Sequence, residues 1–191
     1  MSRPSTDFRA RDLVVKAWGR FWDQTPEAIA DASKLVEEAL LVDPMLPKAH
    51  QMRACVFIHR MWFEEMPINA ANAARALELA STALRLAPRE EWSHWAMAEA
   101  YCIAGRLEDS VAECELGLEI NPNCTVILSA LGYNLACLGR PEEALEANRL
   151  ALRLNPRDPS NFWRHLHIAI AHFVAANYAA SLEESRRVAR S

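Results

Sequence analysis

The chain has 191 residues, 51% of them apolar, and a formal net charge of −4 from 21 Lys and Arg against 25 Asp and Glu. That length fits one domain or at most two, and the mild acidity argues against a nucleic-acid footprint, which needs clustered positive charge. With 33 alanines and only 5 glycines, the composition leans toward helix.

The start, Met1 to Asp7, carries no apolar stretch of the kind a secretory signal needs. Residues 1–9 are expected to be disordered and residues 10–191 to form one domain. Asp12 to Phe21 reads as a first helix, and Thr25-Pro26-Glu27 starts a second that runs to Val42. Four short segments then recur: Leu41-Val-Asp-Pro44, Leu86-Ala-Pro88, Ile120-Asn-Pro122 and Leu154-Asn-Pro156, with prolines 44, 34 and 34 residues apart. Each follows an amphipathic stretch with small residues at a four-then-three spacing: Ala32-Val36-Ala39, Ala76-Ala80-Ala83, Ser110-Cys114-Gly117 and Ala144-Asn148-Ala151. That spacing puts them on one helical face, where a second helix can approach closely. The proline just beyond stops the helix. Ten extra residues around Met61 to Asn69 are expected to lengthen both helices of the second unit about Pro67. Gly105 and Gly139 suit left-handed helix ends, and Pro141 suits a first helical position. Ala169, His172, Ser181 and Val188 fit a fifth unit, shifted by three residues after Pro156.

This 34-residue unit resembles the tetratricopeptide repeat (TPR), in which positions 8, 20 and 27 are small, position 11 is commonly aromatic and position 32 is proline. The unit from Glu91 supplies Ala98, Tyr101, Ser110, Gly117 and Pro122; that from Thr125 supplies Gly132, Leu135, Ala144, Ala151 and Pro156. The unit from Pro47 supplies Ala54, Phe57, Ala76, Ala83 and Pro88. The resemblance implies an all-α, right-handed superhelical solenoid of about five antiparallel helix pairs, in units 10–44, 45–88, 89–122, 123–156 and 157–191, the end units being atypical. The opening Ala10 to Trp18, the lengthened second unit and Phe162-Trp163 with Ala169 to Phe173 are also similar to TPR regions accompanying bacterial class III nucleotide cyclases and some bacterial transcription regulators. The cyclase catalytic domain is absent from this sequence.

Chemistry is sparse. His50, His94 and His165 each occupy position 4 of a unit, so they lie far apart and read as packed side chains with one hydrogen-bond partner. His165, His167 and His172 lack the i, i+4 spacing of helical zinc ligands, and no metal or cofactor site is expected. No GxSxG, phosphate-binding glycine loop or GxGxxG occurs, and the chain reads as a non-enzyme. Adjacent carboxylates (Glu37-Glu38, Glu64-Glu65, Glu142-Glu143, Glu183-Glu184) read as solvated faces. Arg186, Arg187 and Arg190 complement a helix C-terminus rather than form a nucleic-acid tail. The five cysteines are odd in number and lack CxxC spacing, which fits small buried hydrophobes in a reducing, cytoplasmic setting. Cys124, after Asn121-Pro-Asn123, is the expected exposed exception. No run approaches the ~20 apolar residues of a membrane span.

In TPR folds the first helix of each pair lines a concave groove through positions 2, 5, 9, 12 and 13. The resemblance therefore implies a groove formed by Trp92, Trp95, Glu99, Ile103, Tyr133, Trp163, Leu166, Ile170 and Phe173, some of which would also serve as inter-repeat core. Its polar minority is Lys48, Gln51, His59, Glu99 and Ser129. The Lys and Asn with which some relatives clamp a chaperone's terminal carboxylate are missing: Gln51 and Cys55, Trp95 and Glu99, and Ser129 and Tyr133 stand there. The expected ligand is an apolar or amphipathic protein segment, from a partner, another domain or a second copy, with a basic residue opposite Glu99. The alternatives are the regulatory part of a cyclase or transcription regulator, and an apolar small-molecule carrier.

Overall fold

A computed structural model describes residues 8–63 and 66–189. Its described residues form ten helices and no strand: α1 (Phe8–Trp22), α2 (Pro26–Val42), α3 (Pro47–Trp62), α4 (Ala70–Leu86), α5 (Glu91–Ile103), α6 (Leu107–Ile120), α7 (Thr125–Cys137), α8 (Pro141–Leu154), α9 (Asn161–Val174) and α10 (Tyr178–Val188). Phe8 and Arg9, assigned to a disordered start, are the first turn of α1. The rest of that segment, 1–7, lies outside the described residues, as do Glu64, Glu65 and Arg190.

The four proline segments fold alike for one local reason. Each helix ends two residues before its proline, at Val42, Leu86, Ile120 and Leu154. A residue preceding proline is excluded from the helical region by the proline ring. Asp43, Ala87, Asn121 and Asn155 accordingly take φ between −135 and −140°. Each still donates its N–H to the carbonyl four residues back, that of Ala39, Ala83, Gly117 and Ala151. The two glycine turns are left-handed as the sequence predicts, with Gly105 at φ +74° and Gly139 at +76°. Arg106 N–H then reaches Tyr101 O and Arg140 N–H reaches Leu135 O, both at 2.9 Å. Thr25 caps α2 by accepting from Ala28 N–H at 3.2 Å, and Asn69 caps α4 from Asn72 N–H at 2.9 Å. The insertion in the second unit adds three residues to each helix: α3 and α4 have 16 and 17 residues against 13 and 14 in α5 and α6. The remainder lengthens the connection through Pro67.

The chain divides into two compact units, the first ending at Ala100 and the second starting at Tyr101, within α5. In unit 1, Ala10, Leu13 and Val14 of α1 pack with Ala39, Leu46 and Ala49, with Trp18, Leu35, Leu40 and Val42 around them. In unit 2, Val111, Leu135, Ala136, Ala144 and Ala171 form the equivalent core, with Leu131, Leu138, Leu145 and Ile170 against it. The small residues read from the spacing are buried in both units, Ala32, Ala39, Ala76, Ala83, Ser110, Ala144 and Ala151 with no exposed surface. Gly132 shows why position 8 must be small. A Cβ there would overlap Asn148 Nδ2 and come within 2.8 Å of Asn148 Cγ and 3.0 Å of Ala144 O.

Candidate functional site

In unit 1 the predicted groove helices are α3 and α5. On α3, Gln51, Cys55 and His59 recur every four residues and share one face. All three are buried, the first two completely. Gln51 Nε2 donates to Ser93 Oγ of α5 at 2.7 Å, and Lys48 pairs with Glu90 at 2.5 Å. Aromatic rings close over this face from both sides. Trp18 of α1 meets Trp92 of α5 edge-on at 4.6 Å between centroids, Trp22 meets Trp92 at 5.8 Å, and Trp92 meets Trp95 at 5.5 Å. His59 stacks on Phe63 at 4.1 Å and meets Phe21 edge-on at 5.2 Å. Much of what was read as open groove is thus covered by the protein's own α1. Trp95 keeps 9% of its surface and forms floor rather than rim; Trp92 is half-buried, and Trp22 is 41% exposed.

Glu99 is the acidic residue among the predicted groove positions of this face. It is partly buried, and its Oε2 accepts a hydrogen bond from Trp62 Nε1 at 2.7 Å. Burial pushes its carboxyl up to about 7, against the opposing pull of the Trp62 donor. Burial also pulls His59 down to about 4, so its ring is neutral at neutral pH, and pushes the Cys55 thiol well above its ordinary range.

In unit 2 the corresponding helices are α7 and α9. His167 lies between Tyr133, at 5.1 Å, and Trp163, at 6.0 Å between centroids. Its Nδ1 stands 3.0 Å from both the carbonyl and the hydroxyl oxygen of Ser129. Burial lowers this imidazole to about 4. Tyr133, Trp163, Leu166 and Ile170 are half-buried, Ile170 also packing on the core. Ile103 is buried. Phe173 is 62% exposed and meets Tyr178 edge-on at 5.5 Å. Beside this face, Arg164 is 1% exposed and bonded to Asp158 at 2.9 Å, Thr125 Oγ1 at 3.0 Å and Asn161 Oδ1 at 3.1 Å.

The position-4 histidines have structural partners: His50 Nε2 is 2.9 Å from Pro44 O, His94 Nε2 is 3.2 Å from Pro88 O, and His165 Nδ1 is 2.7 Å from Glu184. Cys124 corrects the sequence reading. It is buried because the Asn121–Asn123 turn delivers it to the start of α7, turned in toward Arg164, and Cys137 is the exposed thiol. Sequence reasoning did not assign Trp18, Trp22, Trp62 or His167 to these faces. The i, i+4 spacing of Trp18 and Trp22 was the available signal for two of them; Trp62 reaches Glu99 only because the insertion lengthens α3. A cleft of about 230 Å³ lies elsewhere in unit 1, between α2, α3 and α4, lined by Val36, Phe57 and Leu79 together with Arg53, Arg60 and Arg75. Among the described residues no group of His, Cys, Asp and Glu side chains converges to hold a metal ion, and no helix is long and apolar enough to cross a membrane.

Paired helices, proline-stopped second helices and glycine turns define the TPR solenoid fold, and solved structures match it. The chain is similar to TTC0263, a thermophilic TPR protein of Thermus thermophilus, with 18% identity, a TM-score of 0.71 and coverage of 94% of this chain and 89% of that one. It is similar to PilF of Pseudomonas aeruginosa, with 19% identity, a TM-score of 0.66 and coverage of 96% and 77%. It is also similar to YrrB, described as a TPR protein with an unusual peptide-binding site, with 15% identity, a TM-score of 0.54 and coverage of 94% and 84%. No protein-family model and no curated protein matches the chain.

Proposed function

We propose that the chain is a non-catalytic interaction module of the cytoplasm that docks an amphipathic protein segment on the first-helix face of unit 1, with the Tyr133–Trp163–Phe173 face of unit 2 as a second contact surface. The observation that carries this reading is the indole surface of Trp22, 41% exposed, and of the half-buried Trp92, both rings packed against Trp18. Aromatic rings of that kind bury large areas at small entropic cost and dominate binding hot spots. YrrB, of the same fold, is described with a peptide-binding site, which supports the class of ligand.

The test is selection of a displayed random 12-residue peptide library on the immobilised chain, followed by titration of synthetic copies. Amphipathic peptides should emerge, and Trp92→Ala should weaken them by about 2 kcal/mol, or roughly thirtyfold, with helicity unchanged. Failure to enrich any peptide, or full binding by Trp92→Ala, would overturn the proposal. The regulatory reading, a TPR region serving a nucleotide cyclase or transcription regulator, is favoured by the lengthened α3–α4 pair and is tested by whether the natural reading frame continues into such a domain.

A further inference from the structure

The cleft between α2, α3 and α4 has a counterpart in unit 2 between α6, α7 and α8, in the register where Pro44 matches Pro122 and Pro88 matches Pro156. In that register Ser33, Arg53 and Arg60 stand where unit 2 has Val111, Leu131 and Leu138, and Arg75 stands where it has Glu143. Val111 is buried in the core of unit 2, and Leu131 and Leu138 pack against it. Arginine cannot fill such a place in the same way, because its charged head stays at water while its stem lies along the wall. Arg53 and Arg75 accordingly keep 34% and 42% of their side chains exposed. The volume that branched apolar side chains occupy in unit 2 thereby stays open in unit 1, as a cleft of about 230 Å³ over Phe57 and Leu79. Three guanidinium groups line it against one carboxylate, Glu37, in a chain whose net charge is −4. Arg53 meets Glu37 through Nε at 2.8 Å, and Arg75 meets Glu78, outside the lining, at 2.5 Å. Both carboxylates are more than half exposed, so these pairs are weak and rearrange at little cost. A guanidinium carries five donors, more than one carboxylate can take.

We propose that this cleft binds a small organic phosphate, a monoester whose apolar body rests on Phe57 and Leu79 and whose phosphate is held by Arg53, Arg60 and Arg75. Guanidinium forks match phosphate oxygens bidentately. A phosphate monoester is close to doubly charged at neutral pH, which answers the excess of guanidinium over Glu37. The cleft is smaller than the roughly 300–1,000 Å³ pockets that hold drug-sized ligands, so it selects a body about the size of one ring. The indole face uses other residues of α3, Gln51, Cys55 and His59, so this site stands independently of segment binding.

The experiment is a two-dimensional ¹⁵N NMR titration of the full chain with phenyl phosphate, near neutral pH and in low salt, following the amide signals of α3 and α4. Inorganic phosphate, phenol and benzoate are titrated beside it, to remove in turn the apolar body, the charge and the phosphate itself. Phenyl phosphate should saturate at one equivalent and bind at least tenfold more tightly than inorganic phosphate or phenol, and more tightly than benzoate. Arg53→Leu and Arg60→Leu restore the residues that unit 2 carries, so both chains should melt no lower than the wild type in circular dichroism. Each should nevertheless weaken phenyl phosphate tenfold or more. Arg75→Gln, on the exposed side of α4, should weaken it as well and guards against a fold disturbed by the leucines. No saturable shift with phenyl phosphate, an affinity equal to that of inorganic phosphate or phenol, or full binding by the arginine variants would overturn the inference. Tighter binding of benzoate would overturn the assignment of phosphate.

Discussion

Gly132→Ala tests how tightly the helix pairs are joined. Gly132 of α7 faces α8 where Asn148 is wholly buried, its Nδ2 donating to Ala144 O at 3.0 Å and its Oδ1 without a partner. An added Cβ overlaps that Nδ2 and lies 2.8 Å from Asn148 Cγ and 3.0 Å from Ala144 O. The amide must therefore move or the helices must part. Overpacking costs about 1–3 kcal/mol, and a stranded buried amide costs about 1–3 kcal/mol. Alanine's helix propensity returns about 1 kcal/mol. The net loss should be about 1–5 kcal/mol, which at about 2–4 °C per kcal/mol lowers the thermal midpoint by about 2–20 °C. Circular dichroism melts of the wild type, Gly132→Ala, Asn148→Ala and the double variant measure it. Asn148→Ala removes the colliding group, so Gly132→Ala should be neutral or slightly stabilising in that background. A wild-type melt for Gly132→Ala, or the same loss in both backgrounds, would refute the packing argument.

Thiol labelling under native conditions should modify Cys137 first, with Cys55, Cys114 and Cys124 reacting only on unfolding; early labelling of Cys124 would contradict its inward placement. Arg164→Ala leaves Asp158, 11% exposed, without its cation and should destabilise by about 3 kcal/mol in a denaturant titration, whereas an unchanged midpoint would show the pair contributes nothing. Glu99 gives a pH signature. Its folded carboxyl keeps the proton up to about 7 while the unfolded chain releases it near 4.5, so its contribution is present at low pH and lost as pH rises through 7. Glu99→Gln should match the wild type near pH 4 and exceed it at pH 8 by up to about 3 kcal/mol. The lowered His59 and His167 act in the opposite direction between about 4 and 6.5, but they are common to both chains and cancel in the difference. Equal stability at pH 8 would mean the carboxyl is not perturbed.

The fold was legible because its determinants are local. Proline two residues past a helix, glycine at a left-handed turn and small residues at positions 8, 20 and 27 each act through their own backbone or their nearest turn. Where a turn uses an ordinary residue, the signal vanishes: Ala176 at φ 57° and Gln24 at 51° take the role of Gly139 without announcing it. The site was only half legible. Repeat positions identified which residues of α5, α7 and α9 share a face, but not what covers it. That Trp18 would lie on Trp92, or that Trp62 would reach Glu99, depends on contacts between residues 74 and 37 positions apart. Periodicity within one helix carries no such information, and so Trp95 and Ile103, apolar at groove positions, prove to be buried.

The most direct test of segment binding is a two-dimensional ¹⁵N NMR titration of the chain with a selected amphipathic peptide, reading the tryptophan indole N–H signals. The indole signals of Trp22 and Trp92 should shift together and saturate at one stoichiometric equivalent, and Trp92→Ala should remove the saturable shift of Trp22. Shifts confined to the Arg53–Arg60–Arg75 cleft or to α10, with the indoles of Trp22 and Trp92 unmoved, would contradict the account.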